Sequence, residues 1–151
     1  MSEMKVVNFM IGEEEYAIDI MKIDSIVPVG KIVRIPNAPN FVEGLMDFRG
    51  LAIPVINGRK KFLVSDESKK ENQKAIVVNV GNKKVAIIVD EVKEVITLSQ
   101  NQLEEPPEEI SNSSNKYIGA ISNMNGRMII ILDIDKILTD KESVQLANAM
   151  R

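Results

Sequence analysis

The chain repeats one pattern along its 151 residues, and no other feature narrows its fold so far. Tyr16–Ile23 can be laid over Val85–Val92, 69 residues further on. Apolar positions 17, 18, 20, 23, 26, 27 and 29 then all meet apolar residues, and Gly12 meets Gly81. Gly44–Ile56 in turn resembles Gly119–Ile131, with the offset reaching 76 at Gly50 and Gly126. On this alignment the second copy carries one inserted residue, a candidate bulge. Each copy then enters a short helical pattern, Arg59–Phe62 and Asp135–Leu138. Units this small sit near the lower limit of independent stability, so a shared seam is expected.

The local signals are mostly β. Val6–Ile11 and Tyr16–Ile20 flank a turn at Gly12–Glu15, and Ala75–Val80 and Val85–Val89 flank another at Gly81–Lys84. Asn125-Gly126 is a tight-turn signal between Ala120–Met124 and Arg127–Leu132. Pro36 and Pro39 bracket a loop, because each removes a donor and restricts the residue before it. Polar stretches at Ser65–Gln73 and Gln102–Asn115 read as a joint and a second loop. Asp140–Met150 predicts a helix capped by Asp140, with a weak apolar stripe of Val144, Leu146, Ala147 and Met150. Short strands, tight turns and little helix predict an all-β chain of two small barrels. We expect a single domain over 1–151, with one subdomain at approximately 16–70 and a second at approximately 75–138. The N-terminal strand and the helix at 140–150 would pack across them.

Composition removes whole classes of chemistry. Cysteine and histidine are both absent, so no Cys or His nucleophile, Ser-His-Asp triad or disulfide can form. Zinc loses its usual nitrogen and sulfur ligands. Asp133 and Asp135 stand where a strand enters a helical turn, without further ligands at calcium-loop spacing, and read as helix caps. No phosphate loop, nucleophile elbow or paired-carboxylate motif stands out, so neither enzyme, cofactor nor metal is expected. A net charge of −3 and 4% aromatic residues without tryptophan oppose nucleic-acid binding. The longest apolar run, Met128–Leu132, is far short of the roughly 20 residues that span a bilayer. The N-terminus has no signal-peptide pattern, so a cytoplasmic chain without membrane insertion is expected.

Three segments together resemble one family. They are Gly12-x3-Tyr16-Ala17-Ile18-Asp19-Ile20, Arg34-Ile35-Pro36-Asn37-Ala38-Pro39-x-Phe41-Val42-Glu43-Gly44 and Phe48-Arg49-Gly50-x2-Ile53-Pro54-Val55. They resemble the CheW family of chemotaxis adaptors, and the likeness runs from about Lys5 to Leu138. It implies two intertwined five-stranded SH3-like barrels with short helices and a C-terminal helix. It also implies an adaptor, monomeric when free and recruited to receptor arrays at the membrane. Its partners would be a chemoreceptor cytoplasmic tip and the regulatory domain of the histidine kinase CheA. The chain departs from the usual family pattern at Asp47-Phe48 and at Gly58.

The resemblance places receptor contacts at Ile23, Ser25, Val27, Gly44, Arg49, Val92 and Val95. It places kinase contacts at Ile32, Val33, Arg34, Pro107, Glu108 and Ile110. Each has a plainer reading. Ile23, Val27, Val92 and Val95 occupy matching places in the two copies and form either an apolar groove for a helix or ordinary core. Arg49, beside Gly50, either offers its guanidinium fork to a partner or braces its own turn. Ile32 and Val33 seed a contact or belong to a plain edge strand. The glutamates around Pro107 form a contact or a solvated loop. Two rival functions stay open: a same-fold adaptor of another chemosensory pathway, such as twitching motility, and a small-barrel nucleic-acid binder.

Overall fold

The computed structural model describes residues 3–62, 73–108 and 117–150. The joint at 65–72, the loop at 109–115 and Ile110 with it lie outside the described residues. Eleven strands form among the described residues: β1 (Glu3–Ile11), β2 (Glu14–Asp19), β3 (Ile23–Pro28), β4 (Val42–Phe48), β5 (Leu51–Asn57), β6 (Lys74–Val80), β7 (Lys83–Val89), β8 (Glu91–Ser99), β9 (Leu103–Glu104), β10 (Ile118–Met124) and β11 (Arg127–Leu132). A one-turn helix, α1 (Gly58–Lys61), follows β5, and α2 (Asp140–Ala149) closes the chain.

The strands make two sheets, ordered β3-β6-β7-β5-β4 and β8-β1-β2-β11-β10-β9. Neither sheet is one continuous stretch of chain. The β1–β2 hairpin of the first copy joins the strands of the second, and the β6–β7 hairpin joins those of the first. The hairpins exchange places between two similar units, and this exchange interlocks them.

The registers show how faithful the duplication is. In one sheet the parallel pair β5–β7 sets Val55 opposite Ala86; in the other, β11–β2 sets Ile131 opposite Ala17. These pairs are related by the offsets of 76 and 69. The irregularities repeat too. Pairing of β3 with β6 skips Asp24, and pairing of β8 with β1 skips Lys93. The β4–β5 hairpin skips Glu43 and β10–β11 skips Gly119. This corrects the expected insertion: the offset is 76 along the whole hairpin. Gly44 therefore matches Ala120, and both copies carry the bulge.

Apolar side chains sort into three layers. Phe9, Ile18, Ile76 and Ile87 meet in a central core to which both sheets contribute, with Phe62, Ile137 and Leu146 from the helical segments. Each unit also keeps an inner core of its own. Met46, Phe48, Val55 and Ala86 fill one; Val6, Ala17, Ile96 and Ile131 fill the other. Ala86 and Ala17 are equivalent, as are Val55 and Ile131, so the two inner cores are copies as well.

Polar clamps hold the seam. Arg59 of α1 is buried and pairs with Asp90 at 2.7 Å, while Asp90 also accepts the Gly12 N–H at 2.6 Å. The clamp thus ties α1 to the tip of the exchanged β1–β2 hairpin. Helix α2 is held by Lys61, whose ammonium meets Glu142 at 2.9 Å and lies 4.4 Å from the Phe41 ring centre. Thr139 caps α2 in place of the expected Asp140: its hydroxyl accepts the Glu142 N–H, and Glu142 reaches back to the Thr139 N–H. Of the expected stripe only Leu146 is buried, and Val144 stays exposed.

Candidate functional site

Strand β3 follows a single helical turn at Ile20–Lys22, capped by Asp19, which accepts the Met21 N–H at 2.9 Å. The β3 bulge then interrupts the ladder at Asp24. Asp24 accepts from Lys84 at 2.7 Å, from Ser25 at 2.9 Å and from Arg49 at 3.3 Å. A second Arg49 nitrogen donates to the Ser25 hydroxyl at 2.9 Å. Hydrogen bonds from Lys84 and Ser25, with the nearby cations, hold the Asp24 carboxyl below its ordinary value of 3.8.

Arg49 is the exposed member of this cluster, with 70% of its side chain open to solvent. It sits in the two-residue turn between β4 and β5 and takes φ 52°, followed by Gly50 at φ 86°. Two positive φ values in succession suit a primed hairpin turn, whose first place favours Asn, Asp or Gly. The equivalent turn holds Asn125 and Gly126, at φ 54° and 82°. Arg49 therefore holds a strained backbone while its guanidinium lies 4.7 Å from the Phe48 ring centre.

The other expected residues are distributed over several surfaces. Ile23 and Val92 are half-buried equivalents that pack on the central core. Val27 is half-buried on the inner core of the first unit, with Ile32 beside it. Val95 is 56% exposed on β8. The register keeps the offset of 69, so Val95 matches Ile26 and Val27 matches Ile96, and Val27 and Val95 are not equivalents. Ile26, 40% exposed on β3, is the groove-type position that the sequence did not single out. Gly44 is buried with φ 149°, and a Cβ there would run into the Val33 carbonyl. Val33 and Leu45 exchange two 2.8 Å backbone hydrogen bonds. Gly44 thus lets the segment carrying Ile32, Val33 and Arg34 lie against β4. Val33, Arg34, Pro107 and Glu108 are exposed.

Asp24 and Lys84 also escaped the sequence reading. One signal marks them in retrospect, the reversal of charge between the copies. Lys84 matches Glu15, which pairs instead with Arg127 at 2.7 Å. Arg127 also reaches Asn8 at 3.4 Å and Glu94 at 3.5 Å. No group of three metal-ligating side chains lies among the described residues. No helix among them is long and apolar enough to cross a membrane.

Residues 5–142 match the family described as the CheW-like domain. The chain belongs to the CheW family of chemotaxis adaptors. Chemotaxis protein CheW of Klebsiella aerogenes is 35% identical over 143 residues, covering 95% of this chain and 86% of that protein. The CheW of Treponema pallidum is 35% identical over 150 residues, covering 97% and 88%. The crystal structure of the scaffolding protein TtCheW from Thermoanaerobacter tengcongensis superposes with a TM-score of 0.85 at 31% identity, covering 93% of this chain and 96% of that one. The fold is accordingly two similar sheet-rich SH3-like units with short helices. CheW proteins are non-catalytic adaptors in chemotaxis signalling, and their function lies in their surfaces.

Proposed function

We propose that this chain couples the cytoplasmic tips of chemoreceptors to the histidine kinase CheA. It works in the cytoplasm as a free monomer that joins receptor arrays, and each of its sheets closes as a small barrel around its inner core. The receptor meets Arg49, Ser25, Ile23, Val27, Val92 and Val95, with Gly44 shaping the surface from beneath. The kinase regulatory domain meets Ile32, Val33 and Arg34, and also Pro107 and Glu108 beside Ile110.

The observation that carries this reading is Arg49. An exposed guanidinium stands on a strained turn where the second copy has the residue the turn prefers. Asp24 and Ser25 orient the fork, leaving donors for carboxylates or carbonyls of a partner. Such an adaptor transmits a signal only by preferring one receptor–kinase arrangement over another.

The test uses Arg49→Ala and Ile23→Asp with a purified receptor tip fragment. Both are expected to weaken binding while the melting temperature of Arg49→Ala stays within a few degrees. Receptor binding unchanged in a folded Ile23→Asp protein would remove Ile23 from the site.

A further inference from the structure

Beyond the Arg49 turn lies a cleft of about 610 Å3 between α2 and the outer face of the first sheet. Ser143, Leu146, Ala147 and Met150 face it from the helix, at the spacing of one helical stripe. Leu51 and Val80 are among the apolar residues opposite. Helix α2 is only ten residues long and buries only Leu146, so most of its apolar surface stays open. Leu51 is 55% exposed and Met150 42% exposed at the edges of the opening.

The rim is cationic. Lys83 and Lys84 line it, and Lys83 has no ion-pair partner among the described residues. Lys84 binds Asp24, which also binds Arg49, so the cleft and the Arg49 turn form one continuous surface. The second unit makes the contrast. Its Glu14 and Glu15 stand where the first unit has Lys83 and Lys84. Positive charge thus stands at this cleft and negative charge at the equivalent strand end of the other unit.

We infer that this cleft seats a helix of the chemoreceptor tip beside α2. That helix carries an apolar stripe flanked by carboxylates. Its stripe fills the space between α2 and β5, and its carboxylates meet Lys83 and Lys84, a helix-in-groove arrangement. The inference rests on the receptor-coupling reading above and extends the docking surface past Arg49. Capture by the kinase or by a second copy of this chain are the competing outcomes.

The experiment measures binding of a purified receptor tip fragment to the full chain, with the CheA regulatory domain as a second arm. Ala147→Glu places a carboxylate in the cleft, and Lys83→Glu reverses the rim. Each is expected to weaken receptor binding by about tenfold or more, since like charges would then face each other. Kinase binding, melting temperature and monomeric state should not change. Lys83 stands on an exposed hairpin end, so its variant remains informative should Ala147→Glu disturb α2. Normal receptor binding by both variants, with binding lost in Arg49→Ala, overturns the cleft and leaves the coupling reading intact. Loss confined to kinase binding or self-association also overturns it. Receptor binding indifferent to Arg49→Ala as well removes both.

Discussion

Arg49 and Asn125 occupy the same place in two copies of one hairpin, at φ 52° and 54°, and only Asn125 suits that backbone. A left-handed residue other than Gly or Asn costs roughly 1–2 kcal/mol. Arg49→Asn should therefore raise stability by about 0.5–1 kcal/mol in denaturant unfolding, part of the gain offset by lost contacts with Asp24 and Ser25. The same variant should weaken receptor binding. A variant that is less stable than the wild type would show that Arg49 mainly braces its own turn.

The Arg59–Asp90 clamp carries the seam between α1 and the exchanged hairpin. Arg59→Ala leaves the part-buried Asp90 carboxylate without its cation and should destabilise the fold by about 3 kcal/mol. Urea unfolding measures it. A loss below about 1 kcal/mol would place the pair among ordinary surface bridges.

The same clamp sets a response to acid. Burial alone would raise the Asp90 carboxyl, yet the Arg59 and Gly12 hydrogen bonds hold it below 3.8. Burial likewise opposes the Thr139 and Lys61 bonds at Glu142, which still lies below its ordinary 4.5. Both groups are depressed in the folded state, so their stabilisation is present above those ordinary values. It is lost as pH falls through the folded values. Unfolding free energy should fall steadily from about pH 4.5 downward, and Asp90→Asn should flatten that fall.

Gly44 holds the Val33 segment against β4. Gly44→Ala meets both a positive φ and the Val33 carbonyl, and should cost more than about 1 kcal/mol. Amide exchange at Val33 and Leu45 should quicken, because their two hydrogen bonds depend on that close approach.

Ser122 is buried in β10, and its hydroxyl lacks a partner among the described residues. Its equivalent in the first unit is Met46. Ser122→Ala removes an unsatisfied polar group and should leave stability unchanged or raise it by about 1 kcal/mol. Thermal unfolding of the two proteins checks the sign.

The duplication and its turns were legible because apolar alternation and glycine placement are local. Gly12 and Gly81 both take positive φ at hairpin turns, as their alignment requires. The hairpin exchange was not legible in the local pattern, and only the family resemblance implied that the units intertwine. The copies share one pairing pattern, so β1–β2 fits the strands of either copy and sequence alone does not choose. The aligned glycines Gly44 and Gly119 also misled by one place, since Gly119 stands at the bulge and Gly44 just after it. Arg49 stood out through its family motif, whereas Asp24 and Lys84 lie 25 and 35 residues from it and meet it only in the fold. Thr139 was overlooked as a cap because Asp140 beside it carries the same signal.

Sedimentation of the purified chain with a receptor tip fragment and the CheA regulatory domain tests the coupling claim most directly. A single boundary containing all three proteins, lost in Arg49→Ala, is the predicted result. Binary mixtures that form while the three never travel together would contradict it, because one molecule could not then hold both partners at once.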